Sequence, residues 1–438
     1  IRQAIDFLAE KGMVDYFPES DFVRVKEKAI RFQRSQKKMG DYDNMKIHSV
    51  IDSLPNATLN FEKNQLTVRG VEAFQLSDSL NCFIKPDSGT IVFLQNRDLK
   101  FNGKVSAGNF EITGKDFTLK YDSFFISLNK IDSIGFFVTE KNKRGQTVRR
   151  RIDNSMQGAD STSTAAAGLT NIRGSSGTLY ISKPNNKSGR LKSADYPRLD
   201  ATSGGVIYFD RKEILSGAYD RSVFFVVPPF KLDSLNDADP AAINFDGTFV
   251  TNGMFPNFKE KLHTMPDKSL GFEHLVPKAG YNLFKGEGKI FGQITLDKKG
   301  IRSQGKINYL AAHINSSDFI FYPDSVIAKG NRAWMDRKQF GAVAFPQGSF
   351  PDYNMVWKPK KDEMTLRTTG KAFNFYDSTA QLNGSIIVSK NGVAGDGSLK
   401  TRGTELLSKE MNFTSDAVTA RHAQFKVLGA DPAKPALA

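Results

Sequence analysis

Cysteine occurs once in the 438 residues, at Cys82 inside SLNCFIKPD. No disulfide can form within the chain, and a lone cysteine in a strand reads as a small buried hydrophobe. Long apolar runs are missing as well. The longest, Val223 to Phe230, is broken by Pro228 and Pro229 and falls far short of the roughly 18 residues of a membrane helix. The five histidines, His48, His263, His274, His313 and His422, stand far apart, none at metal-ligand spacing to another or to Cys82. They read as surface or packing residues. GxSxG and HExxH are absent, and the one SxxK, Ser35 to Lys38, lies in a basic amphipathic patch. In Gly286 to Gly292 the glycines are spaced wrongly for a dinucleotide fingerprint, and a strand pattern follows where a helix should start. These absences leave no catalytic, cofactor-binding or metal-binding residue to assign, and the expectation is a protein that is not an enzyme.

What the chain has instead is phenylalanine (35), glycine (36) and a repeat. The stretch Gly292 to Ala328 recurs without a gap 92 positions later, where Ile294, Leu296, Gly305, Ile307 and Phe321 fall on Ile386, Val388, Gly397, Leu399 and Phe413. A shift of 202 positions back puts Gly305-Lys306-Ile307 on Gly103-Lys104-Val105 and Asp318-Phe319 on Asp116-Phe117. A fixed period means one supersecondary unit reused. Within a copy apolar residues alternate, which is strand periodicity, and Asp297-Lys298-Lys299-Gly300 and Ser389-Lys390-Asn391-Gly392 carry hairpin-turn chemistry. Each copy reads as strand, turn, strand, longer turn, strand, with Gly305 at a left-handed corner. Without helical periods between strands, no crossover-linked parallel sheet is possible. The fold class is all-β, an elongated repetitive architecture of solenoid or β-helix type, with stacked β-sandwiches as the alternative.

Taken in order, residues 1–55 read as a helical cap or linker. Ile1, Ala4, Ile5 and Leu8 keep helical spacing, Ser20-Asp21 caps a second helix through Phe32, and a third runs from about Asn44 to Ser53. A β region with the first repeat copy follows over 56–153. Residues 154–170, small and polar, form a flexible loop and the best internal boundary. Further β regions cover 171–280 and, with two copies, 281–429; Phe245-Asp246-Gly247 echoes the repeat as a partial fourth copy. Residues 430–438 read as a tail leading into a longer precursor. The many Asp-Ser pairs, Asp132-Ser133 and Asp324-Ser325 among them, shape turns rather than catalyse.

Net charge is +14, spread along the chain. One concentration stands out. Lys141, Lys143, Arg144, Arg149, Arg150 and Arg151 flank KNKRG between two strand patterns, and the resulting basic hairpin is the candidate contact for a polyanion such as anionic glycolipid or polysaccharide. Basic residues without interleaved aromatics disfavour nucleic acid as the partner.

The phrases LNFEKNQLTVRGVEAF, RDLKFNGKVSAGNFEITGKDF, KPNNKSGRLKSADYPRLDATSG, GTFVTNGMFPNF and DFIFYPDSV resemble very large, uncharacterised β-rich envelope proteins of Bacteroidota. The resemblance spans most of the chain beyond about Pro55. It implies an exported protein in the periplasm or at the outer membrane, part of a longer parent, and supplies no catalytic residue. The leading expectation is a non-enzymatic scaffold whose partners are other envelope proteins or further copies of itself. The alternatives are a lipid conduit lined by the Phe-rich strands and a β-helical polysaccharide-active enzyme.

Overall fold

Period-two alternation with many phenylalanines on one side commits a chain to sheet, and sheet dominates the computed structural model, 57% of which is strand. The structure describes residues 1–37, 45–51, 55–77, 79–158, 176–187, 189, 191, 193–236 and 243–428. Two compact units are present: Ile1–Ile207 with Val226–Ile243, and Tyr208–Phe225 with the chain from Asn244 onward. Registered strand pairs are antiparallel in both, whereas the rungs of a β-helix pair in parallel.

The N-terminal region is less helical than its spacing suggests. Helix α1 (Arg2–Glu10) is present. The expected second helix starts late, because Phe22, Val23 and Val25 are strand formers. They pair as β2 (Phe22–Val25) with β1 (Val14–Phe17), and Asp21 sits in the turn at φ 50° rather than capping. Helix α2 begins only at Glu27 and ends at Gln36. The expected third helix does not form over 45–51. There the backbone is tied to a neighbouring segment instead, with Val50 N–H donating to Gly70 O at 2.9 Å.

In the first unit, β3 (Cys82–Phe93), β4 (Leu99–Ala107), β5 (Phe110–Lys120), β6 (Phe125–Lys141) and β7 (Thr147–Gln157) pair in sequence order. The start of the loop expected at 154–170 is thus the end of β7, and 159–170 lie outside the described residues.

The second unit holds two copies of one three-strand meander. The first is β8 (Gly288–Asp297), β9 (Gly300–Tyr309) and β10 (Ala312–Phe321). The second is β11 (Ala380–Ser389), β12 (Gly392–Thr401) and β13 (Thr404–Phe413), every boundary displaced by 92 residues. The Lys298-Lys299 turn closes β8 on β9, with Asp297 opposite Gly300. The second connection, expected to be long, is as tight: Tyr309 pairs with Ala312 across Leu310-Ala311.

Gly305 occupies no corner between strands; it lies in mid-strand, at φ 150°, beside a bulge. Ser317-Asp318 of β10 stand opposite Gln304 alone, and the same two-against-one count recurs with Lys409-Glu410 against Asp396 and Lys115-Asp116 against Asn102. The extra residue resets the alternation, so Ser316 and Phe319 both face inward though three apart. Asp246-Gly247 shows no such bulge and pairs in plain register with Lys261-Glu260, so the partial fourth copy is a likeness of sequence only. Asp132, expected in a turn, is likewise a bulge residue, within β6.

The bulges are where the sheet folds over. Tyr309, at the end of β9, touches Trp357 with ring centroids 5.1 Å apart. Trp357 belongs to a strand that extends the sheet from the opposite end of the meander, through Phe321↔Val326 and Val326↔Trp357. Phe375 and Phe413 meet in the same way at 4.6 Å. Each long strand therefore crosses from one layer to the other at mid-length, as in sandwiches whose strands switch sheets at bulges. Between the layers Ile294, Leu296, Ile301, Ile307, Phe319 and Phe321 are all 0% exposed. Tyr219 seals the end of this core: its hydroxyl donates to Phe321 O and accepts from Ile301 N–H, both at 2.7 Å.

Candidate functional site

The basic hairpin forms, and its charges divide into two groups. Its loop is built by Asn142, whose Oδ1 accepts from the amides of Arg144 (2.9 Å) and Gln146 (3.0 Å). Arg149 and Arg151 share one strand face with Phe137, while Arg150 lies opposite Val138 on the other. The Arg149 guanidinium donates to Gly108 O at 2.6 Å and rests 3.9 Å from the Phe137 ring centre. Burial lowers its pKa, and nearby Glu111 opposes the shift. Arg151 lies 3.7 Å from Glu111, which also takes Lys104 at 3.4 Å. Two of the three arginines thus serve the fold. All six basic residues are exposed, Arg149 and Arg151 while also bonded within the fold, and the tip carries the charge presented to a polyanion.

Two histidine networks were not legible as sites. His274 stacks on Phe258 at 3.9 Å, with Nδ1 2.7 Å from Glu260 and Nε2 2.9 Å from the Tyr281 hydroxyl. Burial, then Glu260, raises the Tyr281 pKa. The imidazole thus bridges a carboxylate and a phenol, the type of array that relays protons. His313 stacks on Trp334 at 4.9 Å, with Nδ1 2.9 Å from Asn308 and Nε2 2.9 Å from Asp336. Lys338 adds to Asp336 at 3.3 Å. Both histidines stand alone in the sequence; strand register brings their partners in, as His313↔Asn308 and His313↔Trp334 show.

The second copy has Glu405 and Lys426 where the first has His313 and Trp334, and these too are cross-strand partners. An aromatic stack is exchanged for opposite charges at one position of the same sheet. Inward positions behave differently: Ile294/Ile386, Ile307/Leu399 and Phe321/Phe413 stay apolar and at most 5% exposed. At these three positions the packing is preserved, whereas buried Tyr309 and Ala312 give way to exposed Thr401 and Thr404.

Two depressions lie among the described residues. One of about 570 Å³ is lined by Asp318, Ile320, Ile327, Lys329, Met355 and Val356. The other, about 430 Å³ in the first unit, is lined by Asp87, Thr90, Lys100, Asn102, Lys115 and Asp116. Its polar groups are partly spent on the bulge, whose Asp116 amide donates to Asn102 Oδ1 at 2.8 Å. Among the described residues no three His, Cys, Asp or Glu side chains are grouped to hold a metal ion, and no helix is long and apolar enough to cross a membrane. No family model, curated protein or solved structure matches the chain.

Proposed function

We propose that this chain is a non-enzymatic structural body of the bacterial cell envelope, exported to the periplasm or outer membrane and elongated by stacking copies of one bent β meander. The observation that carries the reading is the division between the copies: boundaries, bulge, mid-strand glycines and the inward pairs Ile294/Ile386, Ile307/Leu399 and Phe321/Phe413 recur, while outward side chains such as His313 and Glu405 do not. Repetition of packing without repetition of surface chemistry is the signature of an architecture in which each unit buries its apolar face against its neighbours. The envelope location rests on the resemblance of its strand phrases to large Bacteroidota envelope proteins. Its partners in this reading are other envelope proteins or further copies of itself, with anionic glycolipid or polysaccharide meeting the exposed Lys141–Arg144 tip.

Small-angle scattering on the chain, combined with titration of a fluorescent acyl probe, tests the proposal. A compact body of this length has a radius of gyration of about 22 Å, and the scaffold reading expects a clearly larger value with no probe bound. A compact value overturns elongation. Saturable uptake of the probe assigns the protein to lipid transfer instead, and cleavage of an envelope polysaccharide assigns it to the enzymes.

A further inference from the structure

The sheet that contains β8, β9 and β10 continues through the strand Arg332–Met335 to Gly348–Phe350. Each of these strands is paired on both sides, so their common outer face is an interior part of the sheet and not an edge. Register sets Asn308, His313, Trp334 and Ser349 in one outward row across it, and Phe291, Lys306, Asn315 and Arg332 in the next. His313 stacks on one side of the Trp334 indole. The neighbour on the other side is Ser349, exposed and too small to cover a ring. The Lys306 ammonium and the Arg332 guanidinium each lie 5.9 Å from the indole centre. Among the described residues neither cation pairs with a carboxylate, and Asp336 nearby is engaged by His313 and Lys338.

The second copy shows that the fold does not require this set. At the positions of Phe291, Lys306, Arg332 and Trp334 it carries Asn383, Ser398, Gln424 and Lys426, in the same register. There the polar groups answer one another: Glu405 takes Lys400 at 3.4 Å and Ser398 at 3.0 Å. In the first copy the cations are left beside a ring.

We infer that the Lys306–Arg332–Trp334 cluster is a binding site for an acidic saccharide. The C–H face of a pyranose is apolar and packs on the indole, while its carboxylate or phosphate takes the guanidinium and the ammonium. Its hydroxyls meet the Asn315 amide and the Ser349 hydroxyl, each able to donate and accept. Successive bases of a nucleic acid need successive platforms, and Phe291, the other aromatic of the patch, already has Lys306 over its ring at 5.2 Å. The inference holds for a compact or an elongated body alike and does not rest on the scaffold reading.

Trp334 reports its own occupancy. The chain has two tryptophans and the other, Trp357, is 0% exposed, so a change in indole emission on adding a ligand comes from Trp334. The probes are tetragalacturonate for a carboxylate, glucose 6-phosphate for a phosphate, maltotetraose as the neutral saccharide, and oligothymidylate. A saturable emission change with at least one acidic probe is expected, with maltotetraose bound about tenfold or more weakly. Lys306→Ser combined with Arg332→Gln gives the first copy the residues of the second, and should abolish the preference for acid with little change in Tm. Trp334→Lys, followed by calorimetry, should abolish binding altogether. Lys143→Gln with Arg144→Gln, at the hairpin tip, should leave affinity unchanged. Loss of binding in that tip variant overturns the site, as do equal affinity for maltotetraose, tighter binding of oligothymidylate, or no binding of either acidic probe. A fall in Tm for Trp334→Lys with no saccharide bound by the parent protein leaves only a stabilising cross-strand stack and likewise overturns it. None of these outcomes bears on the radius of gyration, so the two proposals fail separately.

Discussion

At the scale of single residues, Tyr219 shows how one hydroxyl can hold a strand pair. It satisfies the amide of Ile301 and the carbonyl of Phe321, cross-strand partners at the end of a buried ladder. Tyr219→Phe strands both groups away from water, and a loss of roughly 1–3 kcal/mol is expected in urea unfolding. The same tyrosine has a pH consequence. Burial raises the pKa of Tyr219, and likewise those of Tyr309 and Tyr353, far above the ordinary phenol value. Above about pH 10 the unfolded chain sheds these protons and the folded chain keeps them, so stability falls as pH rises, by about 1.4 kcal/mol per pH unit for each such tyrosine. Below that range the effect vanishes. Melting followed from about pH 8 to about pH 11 should show the decline, shallower in Tyr219→Phe. A flat profile would contradict the burial. Nothing in the sequence marks Tyr219, since its partners lie about a hundred residues away in sequence and only the packed fold brings them to it.

At the scale of the element, the glycine pattern was legible but its meaning was not. Spacing identified Gly103, Gly305 and Gly397 as equivalent, and all three have positive φ, 137°, 150° and 128°. Sequence placed them at turns because glycine with positive φ is commonest there; in fact they permit two backbones to close up beside a bulge. A Cβ on Gly305 would stand 2.0 Å from Phe291 O, and one on Gly397 2.2 Å from Asn383 O. Gly305→Val and Gly397→Val should each destabilise by roughly 2–4 kcal/mol, combining backbone strain with a steric clash. Gly403→Val, where an added Cβ meets nothing within 4 Å, should stay within about 0.5 kcal/mol. Equal melting for all three variants would remove the bulge argument. The bulge itself escaped sequence reading because an inserted residue breaks the alternation that strand recognition relies on. The late start of α2 escaped for the converse reason: Phe22, Val25 and Ala29 fit a helical spacing, and pairing with β1 outweighed it.

For the molecule as a whole, the repeat and the all-β class were legible because both are written in periodicity. Fold-over was not, since the contacts that reveal it, Tyr309 with Trp357 and Phe375 with Phe413, join residues no period connects. The candidate site was half legible: charge density located the basic hairpin, but only register showed that Arg149 and Arg151 are bound to Gly108 and Glu111. If the copies are equivalent in energy as well as form, Phe321→Ala and Phe413→Ala should each cost roughly 3–5 kcal/mol. Chemical unfolding of both variants checks this, and a loss at Phe321 with none at Phe413 would show that the second copy is not held by the same core.

Tight turns within each meander have a consequence in time. Beyond Asn244, the widest registered pair joins Val326 to Trp357, and most strands pair with the next strand along the chain. Little loop entropy separates any segment from its partner, so a copy can close as soon as its own residues are available, without waiting for the rest of the chain. A polypeptide emerging end first from a ribosome or a translocation pore would fold behind itself, one meander after another.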